Sequence, residues 1–239
     1  MNRSSPSRRD DLTDSYREFR HPILALVLAI GTAGALDAFA FLRYGAFVAN
    51  QSGNAVFLGI GPAGAHPGWP ASAASLVAFA LGAGIVDRLR ETVTRWPVPL
   101  VNIVAVELTM ALWVVLNVLL AHGRPGPTSR AVLAATGAFA MGSLTTLLSR
   151  TAGIATSVTY QSGTTAKTGE HAVAWLVGGG AGRARARTGT LLGLLAIASY
   201  AAGGAIGTVV QREPRWVPLW GALALGALTL IVRRDADHP

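Results

Sequence analysis

No cysteine occurs anywhere in the chain, which excludes disulfides, zinc–thiolate centres and thiol catalysis. Charge is scarce as well: 13% of the 239 residues are Asp, Glu, Lys or Arg, against about 25% in an ordinary soluble domain. The five histidines are scattered at 21, 66, 122, 171 and 238. No acidic or imidazole pair stands at metal-ligand spacing, and no nucleophile elbow is present. The run Gly178-Gly-Gly-Ala-Gly182 lacks the Gly-Lys-Ser/Thr that would close a phosphate loop. These absences argue against an enzyme and imply neither a metal nor another cofactor.

What is abundant is apolar surface, at 51% of residues, and it comes in blocks. Charge-free or nearly charge-free runs cover Pro22–Leu42, Ala71–Val86, Pro99–Ala121, Ala131–Ser149, Thr188–Val210 and Trp216–Val232. A helix needs about 20 residues to cross a hydrocarbon core, and most of the runs approach that length. They do not alternate as barrel strands would, so the expected fold class is all-α and integral to a membrane, with six transmembrane helices.

The formal net charge of +8 would suggest nucleic acid in a soluble protein. Here its placement argues for topology instead. Six crossings from a cytoplasmic N-terminus put Arg43, Arg124, Arg130, Arg212 and Arg215 outside and the other fifteen of the 20 basic residues inside. That is the bias of the positive-inside rule, and it places both termini in the cytoplasm. The expected partners are therefore the lipid bilayer and a small solute or ion, with no nucleic acid; a homo-oligomer is compatible with this. Residues 1–20, rich in Ser and Arg, read as a disordered cytoplasmic tail, and 235–239 as a second short tail.

An internal repeat divides the rest into three-helix units at 21–122 and 123–234. Gly34-Ala-Leu-Asp37 and Gly45 correspond to Gly142-Ser-Leu-Thr145 and Gly153 at a shift of 108. Gln51-Ser52-Gly53 returns as Gln161-Ser162-Gly163, Phe79-Ala-Leu-Gly82 as Tyr200-Ala-Ala-Gly203, and Val98-Pro99-Leu100 as Val217-Pro218-Leu219. Three crossings per unit is an odd number, so the second copy is expected upside down. Inverted repeats with broken helices meeting near the midplane are a secondary-transporter architecture.

Two glycine-centred polar segments are the candidate breaks. In the first, Asn50, Gln51, Ser52 and Asn54 surround Gly53; in the second, Thr159, Tyr160, Gln161, Ser162 and Thr164 surround Gly163. Amides and hydroxyls there can re-satisfy freed backbone groups or hold a ligand. Asp37 lies inside the first apolar run and Glu107 inside the third. An acid at that depth is costly and is expected to face protein or a hydrated cavity, where it can bind a proton or a cation. For Asp37 the alternative is a structural hydrogen bond to the broken segment. Together these features suggest a small-solute secondary carrier or permease. The competing reading is a non-transporting scaffold, sensor or assembly partner.

The run Gly34-Ala-Leu-Asp37-Ala-Phe-Ala-Phe-Leu, followed by Gly45-Ala-Phe-Val-Ala-Asn-Gln-Ser-Gly-Asn54, resembles the opening signature of the YoaK-like family. The family pattern is Asp-Ala, Gly-x-Phe-Val, then Asn-x-Thr-Gly-Asn, and Ser52 keeps the hydroxyl of the usual threonine. Met141-Gly142 and Thr159-Tyr160-Gln161-Ser162-Gly163-Thr164 fit its second half, whereas Leu144 and Thr145 replace its Gln-Asn. The resemblance spans about residues 20 to 232. It implies a bacterial six-helix protein of the plasma (inner) membrane and supplies no substrate.

Overall fold

The computed structural model describes residues 19–92, 98–121, 125–145, 150–151, 154–155, 161–211 and 216–231. The helices are α1 (Pro22–Tyr44), α2 (Gln51–Ile60), α3 (Trp69–Thr92), α4 (Val98–Leu120), α5 (Pro127–Thr145), α6 (Gln161–Val177), α7 (Gly180–Val210) and α8 (Val217–Gly226). A 3-10 turn over Ala227–Leu230 extends α8. Between α5 and α6, Arg150–Thr151 pairs antiparallel with Ile154–Ala155.

Four of these helices are long and apolar enough to cross a membrane: Pro22–Tyr44, Trp69–Leu89, Leu100–Leu120 and Gly182–Val210. Their outer faces carry exposed large apolar residues such as Leu108, Leu119, Ile206 and Val209. An exterior of that kind suits lipid rather than water, and the chain is a helical membrane protein. The expected crossings over 131–149 and 216–232 are less evident. The 19-residue α5 starts four residues earlier than its apolar run, at Pro127, a residue pre-organised for the first helical turn. It contains many small residues and is largely buried among its neighbours, so lipid does not select its composition. The apolar helix over Val217–Leu230 is shorter than the four spans.

The packing is reciprocal. The most extensive contacts join α3 to α5 and α1 to α7, so the first helix of each half lies against the long helix of the other. Exchanging α1 with α5, α2 with α6, α3 with α7 and α4 with α8 turns the first of these contacts into the second. The same exchange relates α2 on α3 to α6 on α7, and α4 on α5 to α8 on α1, while α1–α5 and α4–α8 map onto themselves.

Glycine makes the closest approaches possible. A Cβ on Gly34 would strike the Tyr200 carbonyl, and one on Gly142 the Phe79 carbonyl. Likewise, a Cβ on Gly82 would strike the Phe139 carbonyl, and one on Gly203 the Gly31 carbonyl. Within each pair, the repeat correspondence carries the first contact onto the second. Small residues at such crossings allow van der Waals contact of backbones, which drives helix association in lipid.

The ends of the bundle also meet. Phe19, which the sequence assigns to a tail, is buried, and Arg20 N–H donates to Ile231 O at 2.7 Å. The ordered fold therefore starts before α1. Residues 1–18 and 232–239, and with them the two expected tails beyond these points, lie outside the described residues.

Gly34→Ala and Gly142→Ala should each lower the thermal unfolding midpoint in detergent, because the obstacle is a backbone carbonyl that cannot rotate away. Gly84, with open space around it, should accept Ala with an unchanged or slightly higher midpoint, since alanine is the better helix former by about 1 kcal/mol. Equal losses at all three positions would refute the close-packed crossings.

Candidate functional site

Asp37 lies two turns before the end of α1, where Gly45 adopts a left-handed conformation (φ 77°) and its N–H donates to Phe41 O at 2.9 Å. Glycine takes that conformation without the Cβ penalty. The chain then doubles back beneath α1, and three successive amides converge on the carboxylate. Oδ1 accepts from Val48 N–H at 2.7 Å and Ala49 N–H at 2.6 Å, and Oδ2 from Asn50 N–H at 2.9 Å. Tyr200 of α7 donates its hydroxyl to Oδ2. A carboxylate offers about four lone-pair sites, and four donors occupy them. Asp37 is 2% exposed, so these bonds replace its hydration.

Asn54 closes the same turn. Its Oδ1 accepts from Phe47 N–H at 2.9 Å, and its Nδ2 donates back to Phe47 O at 2.7 Å. The amide also reaches Gln51 Oε1 at 2.9 Å and Ser75 Oγ at 3.0 Å, while Ser75 Oγ donates to Phe47 O at 2.6 Å. Gln51 Nε2 donates to Val48 O at 3.0 Å. Asn50 caps α2, accepting from Gly53 N–H at 3.3 Å and Ser52 Oγ at 2.7 Å, as N-cap asparagines do. The four polar residues of the first break therefore stitch the turn to itself and to α3.

Gly53 differs from expectation. It lies within α2, and the break is the turn before it; what requires glycine is the Phe47 ring, which a Cβ would strike. Phe47 stacks with Phe41 and Phe57, and His66 stacks on Phe57 at 4.0 Å. His66 Nε2 lies 2.7 Å from Gly45 O. A carbonyl only accepts, so Nε2 carries the hydrogen.

The remaining expected residues stand apart. Thr159 and Tyr160 lie outside the described residues. Gln161 opens α6 with its Nε2 buried and without a hydrogen-bond partner among the described residues, while Ser162 is exposed and Thr164 accepts at its carbonyl from Thr168. Helix α6 packs on α7 and α2 on α3, and no extensive contact joins α2 to α6. The expected meeting of the two breaks is therefore not formed among the described residues. Glu107 projects from α4 toward Gly226, with Oε1 buried and lacking a hydrogen-bond partner among the described residues. Those residues contain no group of three or more His, Cys, Asp or Glu that could hold a metal.

Tyr200 and Ser75 were missed in the sequence. Tyr200 carried a signal: it stands where the other repeat has Phe79, and a buried tyrosine hydroxyl inside lipid needs an acceptor. Ser75 carried none.

A family model described as a protein of unknown function, DUF1275, matches residues 24–232. No curated protein and no solved structure matches the chain.

The knot around Asp37 can be tested by stability. Tyr200→Phe removes one bond to a charged acceptor and should cost about 1.5–3 kcal/mol. Asp37→Asn sets an amide group against several inward-pointing donors and should cost more than Tyr200→Phe. Tryptophan fluorescence during thermal unfolding in detergent reads both; an unperturbed Asp37→Asn protein would show that the bonds carry no weight.

Proposed function

The chain belongs to DUF1275, a family of unknown function, and we propose that this member is a membrane carrier for a small solute, built from two inverted three-span repeats. The observation that carries the reading is the reciprocal glycine packing, in which the contacts of Gly34 with Tyr200 and Gly203 with Gly31 have counterparts in Gly142 with Phe79 and Gly82 with Phe139. Gly31 meets Ser199, Gly34 meets Tyr200 and Ala35 meets Gly207, so α1 and α7 run in the same sense where they cross. That agrees with single crossings by α1, α3, α4, α5, α7 and α8. The 10-residue α2, about 15 Å long, is too short to cross, and α6 is read as its counterpart. The bond from Arg20 to Ile231 supports an even number of crossings, and the basic residues then favour cytoplasmic termini.

In this reading two helix groups move against each other. One comprises α1, α6, α7 and α8, the other α2, α3, α4 and α5; each is held by a glycine-lined crossing, and they meet along α1–α5 and α4–α8. The turn at 45–50 leads from one group to the other, which assigns the Asp37 knot to a hinge. Asp37, saturated with donors, has no lone pair left for a solute or a coupling cation, and that role passes to Glu107. This acid lies on the α4–α8 seam, faces the point where α8 tightens into a 3-10 turn, and has a buried oxygen without a hydrogen-bond partner among the described residues. An intramembrane acid with a buried oxygen left unpaired is a functional candidate, because it costs stability. The scaffold reading draws support from a different observation, the internal satisfaction of the polar groups of the first break.

Proteoliposomes screened with candidate solutes, with and without a pH gradient, test the proposal. At least one solute should move faster than into protein-free vesicles. Glu107→Gln should reduce gradient-driven flux by about tenfold or more while leaving thermal stability equal or higher, the opposite stability response to Asp37→Asn. Flux indistinguishable between wild type and Glu107→Gln across pH would overturn the assignment of Glu107, and no protein-dependent flux of any solute would favour the scaffold.

A further inference from the structure

A groove of about 700 Å³ runs along the outside of the bundle between α1, α7 and α8. It exists because the two halves differ there. Helix α4 makes a limited contact with α3, and α8 makes a still smaller one, if any, with α7. The walls are smaller too: Gly31, Ala198 and Ala202 line the groove, where the other repeat has Phe139, Val77 and Leu81. Trp220 also lines it but is 61% exposed, so it bounds the groove rather than filling it.

One polar group in this apolar wall is unexplained. Thr109, Thr136, Thr145, Thr168, Thr190 and Thr208 each donate to the carbonyl four residues back, as helical threonines inside a membrane do. Ser199, which shares the groove, donates to Leu195 O at 2.7 Å. Thr32 lines the same groove, is 8% exposed, and makes no hydrogen bond among the described residues. Its hydroxyl therefore opens onto an apolar groove with no partner among the described residues, where a ligand oxygen would supply one.

We propose that the groove binds one neutral, membrane-dissolved molecule with a hydrocarbon body and a single carbonyl or hydroxyl oxygen that pairs with Thr32. The lining contains no charged side chain, so an ionic headgroup has no partner there. Gly203 packs on Gly31, next to Thr32, and Val210 lines the groove seven residues further along α7, about 10 Å at the helical rise, so the paired oxygen lies along the helices rather than at the end of α7. The site is independent of the transport reading and holds whether or not the protein moves a solute.

The test uses full-length protein in nanodiscs with two probes, a photoreactive 16-carbon alcohol and the matching photoreactive alkane. Wild-type protein should be labelled by the alcohol on peptides from α1, α7 and α8, and excess unlabelled hexadecanol should compete. Thr32→Val, close in shape, should weaken alcohol labelling about fivefold, the value of one net hydrogen bond, and leave alkane labelling unchanged. Ala198→Val with Ala202→Leu, which installs the residues of the other repeat, should abolish both signals while the protein keeps its thermal midpoint. Alcohol labelling that is indifferent to both variants would overturn the site. So would a wild-type dimer that excludes the probe and dissociates in the double variant, since a second copy would then cover the groove.

Discussion

A single buried carboxylate sets the terms for the first half of this protein. Asp37 is placed where hydration is not available, and a charge inside a membrane survives only when donors replace the lost water. The backbone provides them: the chain leaves α1 through a left-handed Gly45 and folds back, so that the amides of Val48, Ala49 and Asn50 point at one carboxylate. Those same amides, in the turn before α2, would otherwise be buried without this acceptor. Each side therefore solves the other's desolvation problem, and removing either leaves both exposed to hydrocarbon. The fourth donor, Tyr200, comes from the second half, so the turn cannot form fully until α7 lies against α1.

That dependence extends to the whole bundle. Because the first helix of each half packs on the long helix of the other, neither half has a complete core alone. In water the hydrophobic effect would drive such an assembly, but between helices in lipid it is nearly absent, and close packing must replace it. The glycines at 31, 34, 82, 142 and 203 are where this happens. The seams along α1–α5 and α4–α8 are less extensive, and one of them holds Glu107, an acid with a buried oxygen that has no partner among the described residues. Close-packed crossings and a less extensive seam that holds this acid are the features on which the proposed carrier rests.

The two halves are alike in backbone contacts and unlike in chemistry. Asp37 and Tyr200 form a polar pair across the α1–α7 crossing, while their counterparts, Thr145 and Phe79, cannot. On the outer side the difference is one of size: α7 and α8 stand apart around an open groove and α3 and α4 do not. The fold thus carries one knot and one groove, each on one side of the α1–α7 crossing.

Composition and hydropathy by themselves determined that this is a helical membrane protein, because the solvent requirement acts on every residue of a span and so accumulates along the chain. The expected repeat rested on the same kind of signal: glycines at fixed register, Gly34 aligned with Gly142 and Gly82 with Gly203, and all four lie at close helix crossings. Asp37 and the polar cluster Asn50 to Asn54 also stood out, since polar groups in apolar runs are expensive. What they do was decided only by the tertiary structure. A carboxylate waiting for a cation and one saturated by four donors have the same sequence around them; the difference lies in where Val48, Ala49, Asn50 and Tyr200 are carried by the fold. The position of Glu107 on a seam, the placement of Thr32 in a groove and the packing of α2 on α3 and of α6 on α7 are likewise products of long-range packing, which depends on relations between distant residues and leaves no local mark.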